Sequence, residues 1–137
     1  MAELTAHAKR IVEAFNNDDW DAVQGLIGDS TYVELGTQRS VSGPGAILET
    51  WQGWKATMPD VKGTVTSATE SGQRVVLEVL WDGTQTGEMV TEQGTIPPSG
   101  KRQKTPAAFV FEYENGELKE SRHYFDMLTF LKQIGAA

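Results

Sequence analysis

Residues 104–126 read KTPAAFVFEYENGELKESRHYFD, two runs of alternating character joined by Asn115-Gly116. An Asn-Gly pair between such runs is a strong short-range signal for a tight hairpin, because both central residues of that turn need φ > 0. Residues 104–114 and 117–126 are therefore expected as neighbouring antiparallel strands. Uninterrupted alternation would put Leu118, Glu120, Arg122, Tyr124 and Asp126 on one face of the second strand, with Lys119, Ser121, His123 and Phe125 on the other. If the first face lines a cavity, Asp126 is a carboxylate that needs a partner or a proton. If that face is solvated, Asp126 caps the apolar run Met127, Leu128, Phe130, Leu131.

Upstream of this hairpin the pattern is again that of strands over 62–71 and 74–82, with Ser71-Gly72 as the turn between them. Between 84 and 102 lies a polar, glycine-rich stretch with Pro97-Pro98, expected as a long loop or broken strand at a rim or lid. The first sixty residues have helical periodicity instead. Leu4, Ala8, Ile11, Val12 and Phe15 share a face over 3–16. Asp19 can cap a second helix carrying Trp20, Val23, Leu26 and Ile27, with Gly28 at its end. A short strand is expected over 31–35. A third helix with Ile47, Leu48, Trp51, Trp54 and Met58 starts near Pro44, after Ser42 or Gly43, and is closed by Pro59. Helices and strands segregate along the chain, which indicates an α+β fold: three N-terminal helices on a curved, mixed or antiparallel sheet, as a single domain over 1–137.

The bulk properties narrow the function. A chain of 137 residues with 39% hydrophobic and 23% charged residues can bury one core. Its formal charge of -7 opposes binding to nucleic acid or to an anionic membrane. There is no cysteine, which removes thiolate catalysis and cysteine-based metal sites. No run reaches the length of a membrane span or signal peptide, so a soluble, cytoplasmic protein is expected. Nucleophile-elbow, Walker and HExxH patterns are absent, and GPGAIL at 43–48 has Leu48 where a dinucleotide fingerprint needs a third glycine. His7 and His123, the two imidazoles, fall on different elements, so no metal site is expected.

Carboxylate acid–base chemistry is what remains. Glu34, between Val33 and Leu35, is either a base or a solvated rim residue. Arg122 could hold a carboxylate ionised or form a surface pair worth little. Tyr124 could donate to an enolate or simply pack. His123 falls by parity on the face opposite Asp126 and reads as structural or interfacial. Tyr32, Leu48, Trp51, Trp54, Trp81, Phe109 and Phe111 supply wide apolar walls that would suit a small, flat ligand.

The segments AFNNDDWDAVQGLI (14–27), DSTYVE (29–34), SGPGAILETWQGW (42–54), MPD (58–60), WDGTQTGEM (81–89), IPPSGK (96–101) and ENGELKESRHYFD (114–126) together resemble the SnoaL-like polyketide cyclases of the nuclear transport factor 2-like superfamily. The resemblance spans about 8–135. It implies a cone-shaped α+β barrel with a deep pocket, commonly a homodimer or homotetramer. It further implies cofactor-free aldol closure of an aromatic polyketide ester, with Asp126 as general acid/base; Glu34, Arg122 and Tyr124, the candidates read from the residues, are expected in support. Two departures stand out: Ala107, Phe109 and Phe111 occupy a strand that often carries histidine in the family, and Gln85 replaces another frequent histidine. In the same superfamily, Glu34 resembles the base of ketosteroid isomerases, but Ile11 stands where those enzymes have a tyrosine. Arg122 and Asp126 offer two parts of the Asp–Arg–Asp set of limonene-type epoxide hydrolases. A non-catalytic protein that binds a small apolar molecule in the same pocket is the competing expectation.

Overall fold

The computed structural model describes residues 2–137. Helix α1 (Ala2–Asn16) buries Ala8, Ile11, Val12 and Phe15, the stripe set by its periodicity. Asp19 caps α2 (Trp20–Ile27) by accepting from the Ala22 amide at 3.2 Å, and Gly28 ends the helix at φ 52°. Strands β1 (Thr31–Glu34) and β2 (Arg39–Ser42) form a small antiparallel pair. Helix α3 (Pro44–Thr57) follows, with Pro44 in its first turn, where a missing N–H costs nothing.

Strands β3 (Lys62–Ser71) and β4 (Arg74–Thr84) make one long hairpin, and β7 (Arg102–Glu114) with β8 (Glu117–Phe125) makes the other. Asn115 and Gly116 both take positive φ, 53° and 81°, as the tight turn demands. The stretch expected as a loop or broken strand contains a short hairpin, β5 (Met89–Thr91) and β6 (Gly94–Ile96). The apolar run after Asp126 is a fourth helix, α4 (Met127–Gln133), lying on β7.

The main sheet runs β2-β1-β8-β7-β4-β3. Every pairing is antiparallel except β1 with β8, which is parallel and sets Glu34 opposite His123. The register slips between Val65 and Ser67 in β3, and again where β8 passes β7 between Glu112 and Tyr113. Such bulges bend and twist a sheet. The sheet closes around α1 and α3 as the cone-shaped α+β barrel, and the core lies on its concave side.

Candidate functional site

A cavity of about 60 Å³ opens inside the cone. Ile11, Val12 and Phe15 wall it from α1, and Trp51 and Trp54 from α3. The sheet contributes Tyr32, Trp81, Phe109, His123 and Phe125, while Phe130 closes it from α4. Five of the expected apolar contacts, Tyr32, Trp51, Trp54, Trp81 and Phe109, therefore border one space. Two do not. Phe111 is fully buried behind Phe109, stacked on it with centroids 4.5 Å apart. Leu48 packs half-buried against the core.

Against these apolar walls stands a chain of hydrogen bonds. Glu34 is completely buried. Its Oε1 accepts from the Thr37 hydroxyl at 2.6 Å and from Arg39 Nε at 2.8 Å. Its Oε2 accepts from the Tyr32 hydroxyl at 2.6 Å and from the Trp54 indole at 2.9 Å. A carboxylate has about four lone-pair sites, and all are taken. Burial pushes the Glu34 carboxyl up, but the bonds from Thr37 and Tyr32, the Arg39 charge and the Trp54 bond outweigh it, so its pKa lies below the usual range. Glu34 is thus an ionised anchor.

Tyr32 spends its one hydroxyl proton on Glu34, so it accepts from the atom 2.9 Å away on its other side, His123 Nδ1. Trp81 Nε1, which can only donate, points at His123 Nε2 at 2.9 Å. These partners fix the tautomer, with the proton on Nδ1 and the lone pair on Nε2. Burial pushes the His123 imidazole down to about 4, against the opposing pull of Glu34, so it is neutral at pH 7. Burial, then the Glu34 charge, raises the Tyr32 phenol well above its ordinary value. Protons are therefore ordered in one direction, from Trp81 through His123 and Tyr32 to Glu34.

Asp126, Arg122 and Tyr124 lie outside this space, which corrects the expectation that their face lines the pocket. Asp126 is exposed and caps α4, accepting from the Leu128 amide at 3.0 Å and the Thr129 hydroxyl at 2.7 Å. The Thr129 bond, chiefly, holds its carboxyl below the usual range rather than above it. Arg122 bonds Glu112 at 2.7 Å and Glu120 at 2.6 Å across the outer face, and those carboxylates raise its pKa, Glu112 most. Tyr124 is 42% exposed.

The physical reason is a single extra residue. Glu112 pairs with Glu120, but Tyr113 pairs with Leu118, so Lys119 is bulged out and alternation breaks there. Leu118, Ser121 and His123 all end up buried, although strict parity separates Leu118 from the other two. Beyond the bulge the inward positions are Ser121, His123 and Phe125. His123, read as structural or interfacial, is the residue that sequence reasoning missed; its neighbours two positions away, small Ser121 and aromatic Phe125, were the available signal. Gln103 and Thr105, also on the cavity wall, were missed as well.

The described residues contain no group of three or more His, Asp or Glu able to hold a metal ion, and no helix long and apolar enough to cross a membrane.

The chain superposes on a proposed SnoaL-like polyketide cyclase from Jannaschia sp. CCS1 with a TM-score of 0.86 at 20% identity, covering 99% of this chain and 94% of that one. IdmH, a proposed polyketide cyclase from Streptomyces antibioticus, matches with a TM-score of 0.80 at 24% identity, covering 96% and 98%. A protein from Catenulispora acidiphila DSM 44928 with a ketosteroid isomerase-like fold, solved with trimethylamine, gives a TM-score of 0.80 at 20% identity, covering 96% and 93%. At such identities these likenesses establish the fold alone. No curated protein matches the sequence. The family model of the SnoaL-like polyketide cyclases, however, matches residues 5–134. A match over nearly the whole length, on a chain folded as that family's barrel, places this protein in the SnoaL-like polyketide cyclase family.

Proposed function

We propose that the protein is a cofactor-independent acid–base catalyst acting on a small aromatic carbonyl compound, with His123 as its base. The carrying observation is the ordered chain that begins at His123 Nε2 on the cavity wall and ends at buried Glu34. A substrate C–H α to a carbonyl takes the place of the Trp81 indole at Nε2. As Nε2 accepts that proton, Nδ1 passes its own to the Tyr32 oxygen, and Tyr32 passes its proton to Glu34. His123 and Tyr32 end neutral, Glu34 is protonated, and the enolate holds the electron pair. Because Glu34 binds a proton weakly, the proton returns along the same path to the new alkoxide or carbon. This sequence suits aldol closure and isomerisation equally. The family resemblance supports acid–base chemistry in this pocket, and the place of His123 on the cavity wall, with Asp126 occupied as a helix cap, favours His123 as the base.

A second reading, a protein that only binds such a compound, is favoured by the Trp81 N–H, which already occupies the Nε2 lone pair. Exchange of the α-protons of 1-tetralone into D2O, followed by NMR, separates the two. The expected result is an accelerated exchange that falls about 100-fold in His123→Phe and is unchanged in Asp126→Asn. Background exchange by the unaltered protein supports the binder, and exchange that survives His123→Phe removes His123 from the mechanism.

A further inference from the structure

The cavity has a second polar pole that the proton chain does not use. Gln103 on β7 is 1% exposed and borders the cavity together with Thr105 and Met58. Which way its amide points follows from a fixed donor some distance away. The Lys104 backbone N–H donates to Gln133 Oε1 at 2.7 Å, so Gln133 must turn its nitrogen to the Thr105 hydroxyl, 3.2 Å away, and to the Thr129 carbonyl. Thr105 accepts there and has one proton left, which it donates to Gln103 Oε1 at 2.6 Å. Reversing the Gln103 amide would leave the Thr105 proton without an acceptor. The Gln103 nitrogen is therefore turned to Met58 Sδ, 3.3 Å away. A thioether is a weak acceptor, and the nitrogen carries two hydrogens. Among the described residues, no oxygen or nitrogen accepts from either.

Buried donors facing apolar walls are costly and normally find a partner. We propose that the Gln103 side-chain amide is the docking point for a ligand carbonyl oxygen. The two poles then describe the ligand. At Gln103 it presents an acceptor; at His123 Nε2, where it displaces the Trp81 N–H, it presents an acidic proton. Between them its body lies along the aromatic walls of Trp51 and Phe109. The chemical class is an aryl ketone whose other end carries a methylene activated by a second carbonyl, the C–H that meets Nε2; a phenolic hydroxyl fills the same place in binding. In this orientation the ketone is held at the end away from the base, and Gln103 selects for it without taking part in proton transfer. The proposal rests on the reading of the cavity as a ligand site, but not on His123 being a catalyst.

The test uses two compounds of nearly the same shape, 4′-hydroxyacetophenone and 4-ethylphenol, which differ in the carbonyl. Binding is read from the fluorescence of the cavity tryptophans and by calorimetry. The unaltered protein is expected to bind the ketone about tenfold more tightly, the contribution of one hydrogen bond. Gln103→Leu should abolish that preference by weakening the ketone alone, whereas His123→Phe should preserve it. With a 13C-labelled carbonyl, the infrared C=O band should move to lower frequency on binding to the unaltered protein and not in Gln103→Leu. Equal binding of the two compounds, or a preference that survives Gln103→Leu, overturns the carbonyl subsite while the cavity stands as a ligand site. Binding of neither compound overturns both. Should Gln103→Leu fail to fold, Gln103→Met and the infrared band of the unaltered protein decide in its place.

Discussion

His123 is held neutral by burial among aromatic rings, stacked on Phe109 with centroids 4.5 Å apart. That state couples stability to pH. Between the ordinary histidine value of 6.5 and the folded value of about 4, the unfolded chain binds the proton and the folded chain does not. Stability is therefore full above pH 6.5 and is lost as pH falls toward 4, by on the order of 3 kcal/mol for a shift of this size. Glu34 acts in the same direction at lower pH. Its folded pKa is depressed, so its contribution is present above the ordinary glutamate value and is lost below it. Urea midpoints measured across pH 4 to 6.5 should fall with acid in the unaltered protein and fall less steeply in His123→Phe, where His7, its pKa also lowered by burial and then by Arg10, keeps part of the slope. An equal slope in both would show that His123 does not carry the effect. The chemistry of Glu34 was legible only as a choice between base and rim residue. Four donors from β1, the following turn, β2 and α3 decide it, and no local pattern announces their convergence.

At the scale of elements, the hairpins do more than build the sheet. Gly63 on β3 sits opposite Trp81 on β4, and a Cβ there would lie 2.6 Å from Trp81 Cζ3. The absent side chain leaves the indole room to lie toward His123. Gly63→Ala should push Trp81 aside, break its bond to Nε2 and cost about 1–3 kcal/mol through overpacking. The imidazole 15N shift of His123 reports the broken bond, and denaturant melts report the cost. An unchanged 15N shift would show that Gly63 is not what lets the indole reach His123. Gly36 makes comparable room for the Phe125 ring on the cavity wall. The elements themselves were largely readable. Caps at Asp19 and Gly28, proline at Pro44 and the Asn115-Gly116 turn are local signals, and each held. β2, the β5–β6 hairpin and α4 were not foreseen as elements. They are short, and short pieces draw their order from neighbours rather than from their own propensity.

For the molecule as a whole, the segment between β4 and β7 is clasped onto the end of α3. Gln85, fully buried, donates to the Gly87 and Pro97 carbonyls at 3.1 Å each and accepts from the Ser99 amide at 3.1 Å. The Gly87 amide bonds Thr57 O at 3.0 Å, and the Thr57 hydroxyl bonds Glu88 O at 3.1 Å. A Cβ on Gly87 would run into the Ala56 carbonyl, which is backbone and cannot swing away. Gly87→Ala should therefore lift the segment, with faster hydrogen exchange over 85–101 and unchanged protection in β7 and β8. Unaltered exchange over 85–101 would mean that the clasp does not hold this segment down. The cavity of about 60 Å³ is smaller than the ~150 Å³ that accommodates a benzene in an engineered protein core, so an aromatic ligand enters only as walls and rim move.

The α+β class, the order of the main helices and strands, two of the hairpins and the family are all readable from the residues in order. All of these rest on local periodicity, capping and turn chemistry, or on motifs in fixed order. Which face of the closing strand looks inward was set by packing between strands. A bulge such as that at Lys119 is defined by the partner strand, because it consists of two residues opposing one. The parallel pairing of β1 with β8 likewise joins residues about ninety positions apart, and it is this pairing that sets Glu34 and Tyr32 beside His123. Alternation along one strand cannot encode either event, which is why the carboxylate at the end of that strand became a helix cap and the histidine three residues before it became the candidate base.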